Sequence, residues 1–281
     1  MFKMEFIYNI METLLPFTWV QYDFMKNALL AVLLITPLLG MLGTMAVNHN
    51  MAFFSDALGH SALTGIALGV ILGIDNELIS MVAFGILLAL IITKVRSAGT
   101  ASADTVISVF SSAAIALGLV ILSVGGGFSK YSSYLIGDIL SVTSSEILIL
   151  AVTLVCVTII WAFIYNKLTL VSINRELAAS RGVRVALIEN IFVVLVAVVV
   201  MLSIKWVGVL LINSMLILPA ACARNFSTNS RQYLFSSVGL SLVAGLGGVI
   251  SSFYLNTSAG ATIVLISAIL FFISYIFRRK K

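Results

Sequence analysis

The chain has 281 residues, 61% of them hydrophobic and 10% charged, with a mean hydropathy of +1.16. No soluble domain buries that share of apolar side chain, and the long continuous runs lack the alternating pattern of a membrane barrel. The formal charge of +5 comes from basic residues in short loops and at the C-terminus, so it reads as a topology signal and not as a nucleic-acid surface.

Residues 1–25 are predicted to form an interfacial segment. Lys3, Glu5, Asn9, Glu12 and Pro16 interrupt any apolar core of a signal peptide, while Phe17, Trp19 and Tyr22 suit headgroup depth. Residues 26–277 then read as one transmembrane domain of apolar stretches at 26–47, 52–74, 78–94, 104–124, 144–166, 186–204, 206–223, 233–255 and 258–277. Each approaches the roughly 20 residues that cross a bilayer. The stretch 206–223 is short and carries Asn213 and Pro219, so eight or nine spans are expected. Cys156 and Cys222 fall inside apolar stretches and read as small core residues, with Cys222 a remote ligand candidate.

Arg278, Arg279, Lys280 and Lys281 form a basic tail expected in the cytoplasm. Counting back through nine spans puts Arg224 and Arg231, the segment 167–184, and Lys94 and Arg96 on the same side. The N-terminus, Asp75, Glu77 and Asp138 then lie outside. Lys3, Lys26, Lys130 and Lys205 run against this trend. The outer segment 125–145 holds a short stretch, 134–140, that suits a helix lying at the interface.

Asp56 and His60 stand out because both are ionisable inside the stretch 51–74. A charged side chain there costs about 2.5–3.5 kcal/mol on insertion scales, so such residues face cavities and mark pathways. Four residues make about one helical turn, which stacks the carboxylate and the imidazole on one face. Together they suit a borderline or moderately hard divalent cation. Two readings stand: a metal station completed by Ser55, water or a twofold-related copy, or a polar pair that satisfies itself. The glycines Gly59, Gly65, Gly69 and Gly73 on the same stretch are read as allowing close helix packing.

The loop 171–185 has its own local logic. Asn174 can cap a short helix, Glu176 falls in its first turn, and Gly182 supplies a C-terminal stop. Such a helix between two spans can dock into a partner's groove, or be an ordinary loop helix. His49, in Asn48-His49-Asn50, reads as a solvated loop histidine, with an exit-side ligand as the minority alternative. Glu189 with Asn190 is about a turn deep and a candidate to line an exit. Asp138 and Glu146 are candidates to contact an outer partner.

Four segments resemble the permease subunits of bacterial ABC importers for zinc, manganese and iron. They are residues 24–31 (FMKNALLA), 54–65 (FSDALGHSALTG), 134–140 (YLIGDIL), and the pair 207–211 (VGVLL) with 216–221 (LILPAA). The resemblance implies an all-α, polytopic, type II importer permease fold in the bacterial cytoplasmic (inner) membrane. It also implies a homodimer, two cytoplasmic ABC ATPase subunits that bind ATP, and an extracellular or periplasmic metal-binding protein. Asp56 and His60 would then meet the transported zinc, manganese or iron. The segment near 172–184 would be a cytoplasmic coupling helix, with Asn174, Arg175, Glu176, Ala178, Arg181 and Gly182 seated on the ATPase. Asn213 and Pro219 are late-span pathway candidates. The sequence departs from the family where Asn174 replaces an expected aspartate, Asn213 a small residue and Cys222 a threonine.

The chain has no G-x-x-x-x-G-K-[ST] phosphate loop, so ATP hydrolysis is expected from partner subunits and the chain itself is expected not to be an enzyme. An intramembrane metalloenzyme needs a fuller ligand set; His49 and His60 are eleven apart with no glutamate between them. A secondary metal transporter working without an ATPase is the alternative function, though no clear inverted repeat is visible.

Overall fold

The structure, a computed structural model, describes residues 2–14, 17–99, 101–124, 137 and 139–278. Every regular element among them is helical. In chain order the α-helices are α1 (Phe2–Leu14), α2 (Asp23–Asn48), α3 (Phe54–Ile71), α4 (Glu77–Ser97), α5 (Ala103–Val124), α6 (Ser144–Ile173), α7 (Arg175–Ser180), α8 (Val185–Val207), α9 (Val209–Phe226), α10 (Ser230–Leu255) and α11 (Ala259–Ile276). Short 3-10 turns stand at Thr18–Gln21 and Ile139–Ser141.

Among the described residues, eight helices are long and apolar enough to cross a membrane: α2 to α6, α8, α10 and α11. The short stretch with Asn213 and Pro219 became α9, which is not among the eight. α6 runs 30 residues, to Ile173, well beyond the end expected from hydropathy. The segment 134–140 lies outside the described residues except for Gly137, Ile139 and Leu140, as do Asp138 and the tail residues Arg279, Lys280 and Lys281.

The helix ends are set by local chemistry. Asn76 accepts from the Leu78 N–H (3.0 Å), Asn174 from Leu177 (2.9 Å) and Asn229 from Gln232 (2.8 Å), satisfying donors that each helix start leaves free. At the start of α6, Glu146 accepts from the Thr143 N–H (2.8 Å) and pairs with Lys205 (2.7 Å), so one of the lysines running against the charge trend has a local partner. A second exception, Lys26, is buried (3% exposed) and paired with Asp23 (3.0 Å) and with Glu12 of α1.

α2 runs through the core, packed on α9 and α10; α3 lies between α4 and α5, and α8 backs α4. A Cβ on Gly43 would stand 1.8 Å from the Leu216 carbonyl oxygen, so the α2–α9 crossing depends on that missing methyl. Gly65 and Gly69 admit α4 at Met81 and Ser80, and Gly59 admits Val209 of α9, as close-packing glycines should. Gly73 does not fit that expectation. It has φ +68 and open space around it, and it ends α3: its N–H bonds the Val70 carbonyl while Ile74 bonds Gly69. A left-handed glycine closing a helix in this way leaves few carbonyls unsatisfied.

Candidate metal-binding site

α3 begins at Phe54, so Asp56 and His60 occupy its first two turns. From residue 54 to 67 every position is buried except these two. Their side chains are 38% and 40% exposed, which makes a local opening in an otherwise sealed helix face. His60 Nε2 stands 3.5 Å from Asp56 Oδ1. At that length any hydrogen bond between them is weak, which disfavours the self-satisfied pair. It does suit two ligands of one ion: donors about 2.1 Å from a tetrahedral centre stand about 3.4 Å apart.

The third element of the site comes from α9. Asn213 Nδ2 donates to Asp56 Oδ1 (3.4 Å), while Ser55 Oγ donates to Asn213 Oδ1 (2.7 Å). Ser55 is 1% exposed and its hydroxyl is turned toward Asn213, away from the opening beside Asp56. The amide in turn steadies one carboxylate oxygen, the arrangement by which neighbouring groups tune metal ligands. Pro219 is buried one and a half turns further along α9 and lacks the N–H that would bond the Met215 carbonyl. Among the described residues no cluster of three or more His, Cys, Asp and Glu gathers. The chain thus offers two candidate ligands and a supporting amide.

α9 owes its position to the break before it. Gly208 has φ +76, a backbone conformation that favours glycine, and it separates α8 from α9 without a loop. Gly137 packs directly against it: a Cβ there would stand 2.1 Å from the Gly208 nitrogen. Two of the sequence segments singled out above, around 137 and around 208, therefore meet in space.

The other candidates separate into distinct places. In the α7 segment, Asn174 is the cap, Ala178 is fully buried against the bundle, and Gly182 (φ +78) ends the turn. Glu176, Leu177 and Arg181 are exposed. Arg175 reaches back to Glu189 of α8 (2.9 Å). Glu189 is 4% exposed and clamped from its other side by Arg96 of α4 at 3.9 Å, so it does not line an exit. Its neighbour Asn190 is exposed at an apolar surface groove.

His49, expected in solvent, is packed against the Phe192 ring and half-buried, with a buried, unpartnered Nε2. Burial and the charge of Arg96 push its pKa down to about 4. Two nearby arginines make this a poor exit station for a dication. Cys156 is exposed on the outside of the bundle, against expectation, whereas Cys222 is buried and donates to the Leu270 carbonyl (3.4 Å), away from the α3 pair.

The Asn213 bridge and the Glu189 clamp were both missed as contacts. Glu189 did carry a signal: it is the one carboxylate in the apolar α8, and a carboxylate so placed needs cationic partners.

The chain is 30% identical over 261 residues to the high-affinity zinc uptake system membrane protein ZnuB of Haemophilus influenzae, covering 92% of this chain and 99% of that protein. It is 32% identical over 261 residues to the manganese import system permease protein ScaB of Streptococcus parasanguinis, covering 93% of each. The solved structure of PsaBC from Streptococcus pneumoniae in complex with Fab superposes with a TM-score of 0.79 at 29% identity, covering 90% of this chain and 91% of that one. The family match extends over residues 21–278, and the chain belongs to the ABC 3 transport family.

Proposed function

We propose that this chain is the membrane-spanning permease subunit of an ATP-driven importer that moves a divalent transition metal, zinc or manganese and by extension iron, into the cytoplasm. The observation that carries the reading is the Asp56–His60 pair: two donors at ligand spacing, half-open, on a helix face sealed everywhere around them. Relatives named for zinc and for manganese import support the substrate class.

Two ligands hold a dication weakly, and a transport station must release what it binds. A twofold-related copy would bring a second Asp56 and His60 to the same axis, and the outward opening of the pair favours such a homodimer. The end of the bundle bearing α7, Arg96, Arg224 and Arg231 is the basic end, which the positive-inside rule assigns to the cytoplasm. There, the exposed Glu176, Leu177 and Arg181 of the α7 segment offer a docking face for two ABC ATPase subunits. A metal-binding protein delivers the ion at the opposite end, with the N-terminal segment 1–25 at the interface and the membrane domain spanning 26–277.

The test is metal uptake into proteoliposomes holding the chain with its ATPase subunits and binding protein, using zinc, manganese and iron. ATP-dependent accumulation of one of these ions is expected. Equal accumulation without ATP or without the ATPase subunits would overturn the reading in favour of a secondary transporter.

A further inference from the structure

A buried carboxylate links α7 to the turn that launches the helix carrying Asp56 and His60. Glu189 of α8 is 4% exposed, and its two oxygens face different partners. Oε2 accepts from Arg175 Nη2 (2.9 Å), at the start of α7. Oε1 lies 3.9 Å from Arg96 Nη2 near the end of α4. Arg96 continues the chain of contacts, because its Nη1 donates to the His49 backbone carbonyl (3.5 Å), where α2 ends. From His49 the backbone turns through Asn50, at φ 54, and Met51, whose N–H bonds the Ala46 carbonyl; Phe54 then bonds Met51 as α3 begins. Asp56 is two residues further on.

The electrical balance makes Glu189 the centre of this arrangement. Arg96 is 12% exposed at its side chain and Arg175 52%, so one guanidinium is buried and the other sits at the rim. Without the carboxylate between them the two cations repel, and the buried one loses its compensating charge. His49 packs on Phe192 of α8, one turn beyond Glu189, so helix α8 holds the α2–α3 turn by a ring contact as well as by the ionic chain. A displacement of α7 thus has a continuous path of charged and packed groups to the base of α3.

We infer that Glu189 is a positioning residue that couples movement of α7 to the Asp56–His60 station, through Arg175 on one side and Arg96 with the His49 carbonyl on the other. The inference rests on the proposed function, since it concerns how hydrolysis in partner subunits reaches the metal station.

The experiment measures ATP hydrolysis and zinc or manganese uptake in the same proteoliposomes, with the full complex carrying wild-type chain, Glu189→Gln, Glu189→Asp or Arg96→Gln. Glu189→Gln is expected to keep hydrolysis within about twofold while uptake falls by about tenfold or more, a range in keeping with lost buried ion pairs. Glu189→Asp restores much of the uptake. Arg96→Gln leaves α7 untouched and gives the same separation of hydrolysis from uptake; it decides the matter if Glu189→Gln yields no assembled complex. Parallel loss of hydrolysis and uptake in the assembled variants, or uptake unchanged in both, overturns the inference. Failure of the wild-type complex to import any metal overturns the proposed function instead, and is read before any variant.

Discussion

The Asp56–His60 pair and the Glu189 clamp both place charge in an apolar bundle, and the protein treats them in opposite ways. Asp56 has one weak amide contact at 3.4 Å and an imidazole at 3.5 Å, and it stands half-open. Glu189 is sealed and held between two guanidinium groups. The first site has unused ligand capacity, which suits it to a ligand from outside the chain. The second is already compensated by the chain's own arginines, so it resists change and holds elements in register. On the proposed reading the unfilled carboxylate meets the metal and the filled one positions the helices around it.

The largest effect expected from this contrast is at the open pair. Asp56→Ala or His60→Ala removes a ligand, and metal uptake in proteoliposomes should fall by more than the roughly 10–100-fold typical of losing a supporting group, with complex assembly intact. Uptake at the wild-type rate in both variants would erase the distinction between the sites.

Glu189→Ala should instead show in stability. Breaking a buried pair by removing one partner costs about 3–5 kcal/mol, which thermal unfolding in detergent would report as a large drop in Tm. Asp56→Ala should barely move the same curve, because its carboxylate is half-solvated. Comparable drops in the two variants would contradict the contrast.

A smaller effect is expected between the regions, at Asn213. Asn213→Ala frees both Ser55 and Asp56, and metal affinity should weaken by about 10–100-fold, measured as the metal concentration giving half-maximal uptake. Asn213→Asp would add a carboxylate beside Asp56 and is expected to tighten binding while slowing release.

The clamped end also predicts a pH dependence, seen only in acid. The unfolded His49 imidazole takes its proton near its ordinary 6.5, whereas the folded one, buried beside Arg96, does so only near 4. A depressed pKa on a base means the stability is complete above 6.5 and declines as the pH falls from 6.5 toward 4. His49→Phe should flatten that part of the stability profile; an unchanged slope would move its origin to another group.

The α3 pair was legible because its signal is local. Two ionisable residues one turn apart in an apolar run are visible without any knowledge of neighbours, and so are the Asn174 cap and the Gly182 stop of α7. What lay beyond reach joined distant residues: Ser55 and Asn213 are 158 positions apart, and Arg96 meets a glutamate from a helix that begins at Val185. Gly73 shows the limit from the other side. It continues the spacing of Gly65 and Gly69, yet it closes the helix instead of packing it, because α3 ends at Ile71.

By itself the amino-acid sequence determined the helical membrane class, most of the apolar helices and the placing of Asp56 and His60 on one helical turn. These follow from hydropathy and periodicity, which act within a few residues. Only the tertiary structure decided that Ser55 turns from the opening to Asn213, that His49 is packed and not solvated, and that Glu189 is clamped between α4 and α7. Those outcomes depend on which helix faces which, and that is set by long-range packing such as the α2–α9 crossing at Gly43.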